Sequence, residues 1–339
     1  MRIPFFHPKE FKNNFFINEF KNECLNSPRM TTLFNEFSNI ASGNFQPNIK
    51  PIANKEYLKA NSKIRKFQKV HKNLWGKFDS HFFASIPYML EEELRLGTTI
   101  LNYWRMKGKD KEFNLYTMGT AEATMARSIG LCAKGGIKTL SCSPNEENKI
   151  SFTSYGIPLN SFFHLGTFAD IDTDYIQKSQ FFKNGFDLLV EDTTFQMYSS
   201  NRKNQIKFAS MILKEDGIFI SINKMLNVDM KEYYRREKIK DDFKKKHFSQ
   251  HQINEKNTIL NIMEKNQITL EETIDALHLT FRYVAVYWNS TNFYSLASSN
   301  SKENLDLFIN LMPKAYLGDR PNKVQKTLPE FYERGTQNG

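Results

Sequence analysis

The sequence predicts an α/β protein: a doubly wound, seven-stranded, mostly parallel sheet with an antiparallel last strand, plus a helical N-terminal region. Three observations predict it. Residues 113–130 read as a strand, a tight turn at Gly119 and an amphipathic helix. Such a turn leaves backbone N–H groups free at a helix N-terminus, where polar ligand groups dock. From residue 112 to 223, short apolar runs alternate with helix-forming segments. Last, 281–287 and 292–297 are β-rich, and the gap of 288–291 is too short for a crossover helix, so the two runs pair antiparallel.

Taken in order, residues 1–111 look mainly helical, with Pro47 and Pro51 flanking a loop. Residues 82–106 read as one long helix or a pair, with Ile86, Leu90, Leu94, Ile100 and Leu101 as core candidates. The polar stretch 107–110 precedes strand 112–117 and a helix to about 131. The turn 134–136 leads into strand 137–142. Ser143-Pro144-Asn145-Glu146 opens the next helix: Ser143 can cap, proline suits the first helical position, and Glu146 can close a capping box. Strands follow at 161–165 and 186–191, the second an apolar run of the kind buried on both faces. A helix at 201–214, a strand at 217–223 and a charged helical segment at 225–265 come next. Thr269 and Glu272 form a capping box for a helix toward Leu279, and a helix at 302–311 follows the antiparallel pair. The tail after Pro321 is expected to be loosely ordered. The resulting division is a helical region at 1–111 suited to acceptor recognition, a sheet domain at 112–312 with a helical insert at about 225–265, and a tail at 313–339.

Composition narrows the class. The chain has 339 residues and no apolar run long enough to cross a bilayer. Its N-terminus mixes charge into apolar residues and reads as no signal peptide. Three widely spaced cysteines, Cys24, Cys132 and Cys142, argue for a reducing compartment, so a cytoplasmic location is expected. The net charge is +10, and residues 50–77 carry nine basic residues against one acid, Glu56. Tyr57, Phe67, Trp75 and Phe78 interleave with those charges. That mixture suits an anionic partner, nucleic acid above all, or else a solvated helix face. Gly136 stands where a P-loop needs lysine, and no Gly-x-Ser-x-Gly elbow occurs. His247 and His251 lack the acid and third ligand of a zinc site, so no metal is expected.

Five α/β units closed by an antiparallel pair resemble the class I S-adenosylmethionine-dependent methyltransferases over roughly residues 112–312. The family opens with two apolar residues, an acid, any residue, then Gly-x-Gly-x-Gly. Here Leu115-Tyr116-Thr117-Met118-Gly119-Thr120-Ala121-Glu122-Ala123 takes those places, with Thr117 for the acid and Ala121 and Ala123 for two glycines. At the end of strand two the family's acid grips the ribose. Cys142 stands there, followed by Ser143, and Glu146 or Glu147 can substitute. After strand three the family has Gly-Asp, whose acid reads adenine. Here Gly166 is followed by Thr167, Phe168 can flank the ring or fill the core, and Asp170 can supply the acid. At the end of strand four, Glu191-Asp192-Thr193-Thr194-Phe195 is similar to the Asp/Asn-Pro-Pro-aromatic loop of amino-group methyltransferases without its prolines. The resemblance implies S-adenosylmethionine as cofactor, bound by Thr117, Gly119, Thr120, Ala121, Cys142, Ser143, Thr167, Phe168 and Asp170. It implies Glu191 and Asp192 as groups that hold or deprotonate the acceptor, and Phe195 and Tyr198 as stacking groups. Repulsion between the adjacent acids is expected to raise one pKa. Two other readings stay open: a methyltransferase-like binding or assembly module without catalysis, and an aminopropyltransferase-like enzyme.

Overall fold

The computed structural model describes residues 14–154, 156–318 and 328–335. Six described helices precede the first strand: α1 (Asn14–Leu25), α2 (Phe34–Ser42), α3 (Lys55–Ala60), α4 (Ser62–Lys72), α5 (Lys77–Ser85) and α6 (Met89–Lys107). Strands and helices then alternate: β1 (Asn114–Met118), α7 (Thr124–Cys132), β2 (Lys138–Ser143), α8 (Glu146–Ser154), β3 (Ser161–Leu165), α9 (Thr173–Lys178), β4 (Phe186–Asp192), α10 (Phe195–Tyr198), α11 (Arg202–Ser210) and β5 (Leu213–Lys224). The insert is α12 (Met230–Lys244), α13 (Gln250–Glu264) and α14 (Leu270–His278). The chain closes with β6 (Tyr283–Ser290), β7 (Phe293–Ser299), α15 (Lys302–Asn310) and β8 (Glu330–Glu333).

The strands form one sheet in the order β3-β2-β1-β4-β5-β7-β6-β8. The first five pair in parallel. β7 enters between β5 and β6, antiparallel to both. The parallel sheet and the strand reversal are those expected, with one strand more. The addition is β8, which pairs antiparallel with β6 and makes the sheet eight-stranded. It corrects the expected loose tail in part. Residues 328–335 are held at the sheet edge, where unpaired N–H and C=O groups of β6 would otherwise face water, while 319–327 lie outside the described residues.

Both faces of the sheet are covered, which is why consecutive residues of β4 and of the second half of β5 are buried and apolar. Along β4 the side chains alternate: Leu188 and Val190 join the core beneath α6 and α7, and Leu189 joins the one beneath α1 and α11. Ile218 and Ile220 of β5 point to the first core and Phe219 to the second. Each such burial stabilises the fold by about 1.5–3 kcal/mol. Leu94, Ile100 and Leu101 of α6 are core residues, as expected. The 82–106 segment is a pair, broken at Pro87 and at Tyr88, whose φ of 62° is left-handed. The charged segment 225–265 is likewise two helices, and Ser249 with Gln252 boxes the start of α13. The Thr269–Glu272 box stands at the start of α14 as expected. Among the described residues, no helix is long and apolar enough to cross a membrane.

Candidate functional site

Strand order reverses between β1 and β4. The chain leaves β1 toward β2 and β3, and leaves β4 toward β5. Loops from the two adjacent tips therefore diverge, and a crevice opens above them. The β1 loop enters left-handed backbone three times, at Gly119 (φ 61°), Ala121 (43°) and Ala123 (57°). Only glycine adopts such angles without strain. The alanines thus occupy the family's glycine positions in glycine-like geometry. Gly119 itself has no room for more: an added Cβ would lie 2.4 Å from Thr194 Oγ1. Thr194 Oγ1 donates to the Met118 carbonyl at 2.9 Å and so ties the β4 tip to the β1 tip. Thr193, a β-branched residue at φ 52°, is strained as well.

Buried acids anchor these loops. Glu122 accepts the backbone N–H of Phe78 at 3.0 Å and of Asp79 at 3.2 Å, so the β1 loop caps the N-terminus of α5. Gly76 permits this approach, since a Cβ there would meet the Glu122 carboxylate at 2.0 Å. Asp79 Oδ2 accepts from the Gly76 N–H at 2.9 Å and from Thr124 Oγ1 at 2.7 Å. Glu191 accepts from the N–H groups of Thr194 (2.8 Å) and Phe195 (2.9 Å) through one oxygen. Its other oxygen accepts from Ser221 (2.9 Å) and Asn223 (2.6 Å).

Above the tips lies a cavity of 180 Å³ with three chemically different walls. One is acidic: Asp79, Glu93 and Asp192. Burial, then the carboxyls of Glu93 and Glu191, push Asp192 well above the usual carboxylate range, and burial with Asp79 does the same to Glu93. Asp192 Oδ1 is buried with no hydrogen-bond partner. Glu93 is held by His71, whose Nε2 lies 2.7 Å from Oε1. Trp75 donates to His71 Nδ1 at 2.9 Å, so the ring carries its proton on Nε2 and donates it to Glu93. Burial lowers His71 to about 4, so it is neutral at physiological pH. The second wall, at the β2 tip, has Arg29, Ser143 and Asn148. Arg29 donates to Asn145 and lies 4.6 Å over the Phe37 ring, while its Nη1 and the Asn148 Oδ1 are buried without partners. The third wall, beyond β4 and β5, carries Lys224, Lys240, Lys244 and Lys256.

Of the residues singled out in the sequence, Gly119, Thr120, Ala121, Ser143 and Asp192 meet at this cavity. The others do not line it. Thr117 is buried, 2.6 Å from Ser141 Oγ, and accepts from Thr120. Cys142 faces the core, 3.1 Å from the Tyr116 hydroxyl, and burial raises its thiol to about 11. Phe168 packs against Phe195 at 5.3 Å and Tyr198 at 5.0 Å, so these three aromatics are core members and present no stacking face. Asp170 accepts from the Thr167 N–H at 2.6 Å and hydroxyl at 3.1 Å, closing a capping box beside β3. Glu191 is a fully buried loop anchor, which corrects its expected place at the reacting centre. The raised acid of the pair is chiefly Asp192, and the main cause is burial rather than repulsion.

The residues not foreseen are Arg29, Asp79, Glu93, Asn148 and the lysine wall. One signal was present: Glu91-Glu92-Glu93 is an acid triplet inside an otherwise apolar helix start, and all three are buried. The charged segment 225–265 gave no sign that one of its lysines turns inward, yet Lys244 is only 4% exposed. The basic stretch 50–77 resolves the other way. Tyr57 and Phe67 turn into the core while the basic residues between them are exposed, so these two aromatics are not available to stack on a nucleic acid.

No family model matches the chain, and no curated protein matches its sequence. Among solved structures it is similar to the plantazolicin methyltransferase BpumL in complex with a monoazolic desmethylPZN analog and SAH (TM-score 0.46, 10% identity, covering 84% of this chain and 98% of that one). It is also similar to the O-methyltransferase from Bacillus cereus in complex with SAH (0.40, 12% identity, 72% and 96% covered). A third is a probable spermidine synthase from Corynebacterium glutamicum (0.36, 11% identity, 63% and 68% covered).

Proposed function

We propose that the cavity binds S-adenosylmethionine and that the protein transfers its methyl group to an acceptor entering along the lysine wall. The observation that carries this reading is the acidic wall at the crossing of β1 and β4. Burial pushes the Asp192 and Glu93 carboxyls well above the usual carboxylate range, and Asp192 Oδ1 lacks a partner. Such a wall suits a ligand with positive centres, and S-adenosylmethionine has two, an ammonium and a sulfonium. When bound, the cofactor supplies an electrophilic methyl group. Asp192 and Glu93 would hold its cationic part, with the His71 proton fixing Glu93. Asn148 Oδ1, a buried acceptor without a donor, and the Ser143 hydroxyl would face the ribose in place of the missing acid. Phe78, Phe82 and Phe293 wall the cavity and exclude water. Methyl transfer needs alignment and desolvation above all, and a base only where the acceptor atom carries a proton to be lost.

One observation favours the non-catalytic reading. Cys142 and Phe168, where ribose and adenine contacts were expected, belong to the core. Titration of S-adenosylmethionine and S-adenosylhomocysteine by calorimetry separates the two. Binding tighter than about 1 mM that is abolished by Gly119→Arg is expected for the enzyme. No heat from either ligand, with Gly119→Arg leaving the protein's behaviour unchanged, would leave only the binding module. Product analysis with decarboxylated S-adenosylmethionine tests aminopropyl transfer.

A further inference from the structure

The lysine wall is more than a solvated helix face. Lys240 and Lys244 stand one turn apart on α12 and are 7% and 4% exposed. Lys256 reaches the same cavity from α13, and Lys224 from the end of β5. Carboxylates only partly compensate them. Glu237 serves both Lys224, at 2.8 Å, and Lys240. Asp241 is 3.5 Å from Lys244, and Glu264 is 3.6 Å from Lys224. Lys256 makes no ion pair among the described residues. It donates to Ser85 Oγ at 2.8 Å and to His81 Nε2. His81 Nδ1 in turn donates to the Phe45 carbonyl at 2.7 Å, so Nε2 is the lone-pair side. Four lysines thus face three carboxylates, and the uncompensated ammonium of Lys256 is costly to desolvate unless an anion completes the set. Burial and mutual repulsion depress Lys244 to about 8 and push Lys256 well below the usual lysine range.

We infer that the acceptor carries an anionic group, a carboxylate or a phosphate, held by Lys240, Lys244 and Lys256. This rests on the methyl-transfer reading only for the acceptor role. The assignment of side follows from the sheet. β2 and β5 lie on opposite sides of the β1–β4 pair. The Ser143 and Asn148 wall therefore faces the nucleoside, and the lysines face what the nucleoside does not occupy. A diamine placed against this wall, rather than the acidic one, would meet the same ammonium groups and be repelled.

The test is calorimetric titration of inorganic phosphate, benzoate and putrescine into the full chain, with and without saturating S-adenosylhomocysteine. At least one anion binds the wild type below about 10 mM, and putrescine does not. Lys244→Gln and Lys256→Gln each weaken that anion by about tenfold or more, while Lys244→Arg, which keeps the charge and controls for folding, retains it. Preference for phosphate or for benzoate tells which group the acceptor bears. Anion binding that survives both glutamine variants overturns the proposal, as does the absence of anion binding or binding of putrescine instead. Loss of S-adenosylhomocysteine affinity in those variants also overturns it, because the lysines would then hold the cofactor's own carboxylate. If S-adenosylhomocysteine fails on the wild type while lysine-dependent anion binding remains, the methyl-transfer reading falls and the anion site stands.

Discussion

The tips of β1 and β2 are neighbours in the sheet, and each lacks residues that the family pattern asks for. At β1, Ala121 and Ala123 stand where the pattern has glycine, both in left-handed backbone, and Ala121 lines the cavity. At β2, Cys142 stands where the pattern has an acid, and its side chain turns to Tyr116 in the core. The difference lies in what each position contributes. The β1 loop offers backbone, and a methyl group leaves backbone N–H groups where they were at the cost of some strain. The β2 tip was expected to offer a side chain, and a thiol pointing into the core cannot stand in for a carboxylate facing a ligand. A backbone-built turn keeps its shape through a change of letter, whereas a side-chain contact does not.

The comparison can be broken most sharply at β2. Cys142→Asp restores the family's letter but buries a carboxyl beside Tyr116. It should cost about 3 kcal/mol or more and leave S-adenosylhomocysteine affinity no better. Tighter binding with stability retained would show that the β2 tip can still reach the ligand. At β1, Glu122→Ala strips two N–H groups at the start of α5 of their acceptor. A loss of about 2–3 kcal/mol in urea unfolding is expected, with weaker ligand binding as the loop loosens. Unaltered stability would mean that the loop is not anchored there.

Protonation sharpens the same wall. Asp192 and Glu93 are raised by burial, so at any pH below their raised values a bound cation would displace protons from them. Binding of S-adenosylmethionine should release protons, and affinity should rise with pH by up to about tenfold per unit above the normal carboxyl range. Calorimetry in buffers of different ionisation enthalpy reads this directly, and Asp192→Asn should reduce the release. For stability the sign is opposite. The unfolded chain ionises these carboxyls first, so the folded state loses stability as pH climbs from the ordinary carboxyl range toward their raised values. The smallest effect belongs to Ala121→Gly. Relief of left-handed strain should offset the added chain entropy and leave the protein unchanged or more stable by up to about 1 kcal/mol. A clear destabilisation in thermal melts would mean that the alanine methyl packs usefully.

Much of the sheet was legible because periodicity and turn residues are local. The strand–Gly119–helix unit, the apolar β4 run and the Thr269–Glu272 box all stood where the letters placed them. β8 was not legible, since four residues, Glu330–Glu333, carry little pattern of their own and gain their pairing from β6. The site was half legible. Gly119, Thr120, Ala121, Ser143 and Asp192 follow from their places at strand ends. Phe195 and Tyr198 misled, because an aromatic after a strand looks the same whether it stacks on a ligand or fills a core.

The sequence by itself determined the order of strands and helices, the reversal at β7 and the glycine-type turn at β1, because each follows from patterns within a few residues. Only the tertiary structure decided which charges meet. Glu93, Asp192, Arg29 and Lys256 come from four separate elements, and the packing that buries them sets both their partners and their protonation. Burial is a property of the whole fold, so no window of the chain could announce it.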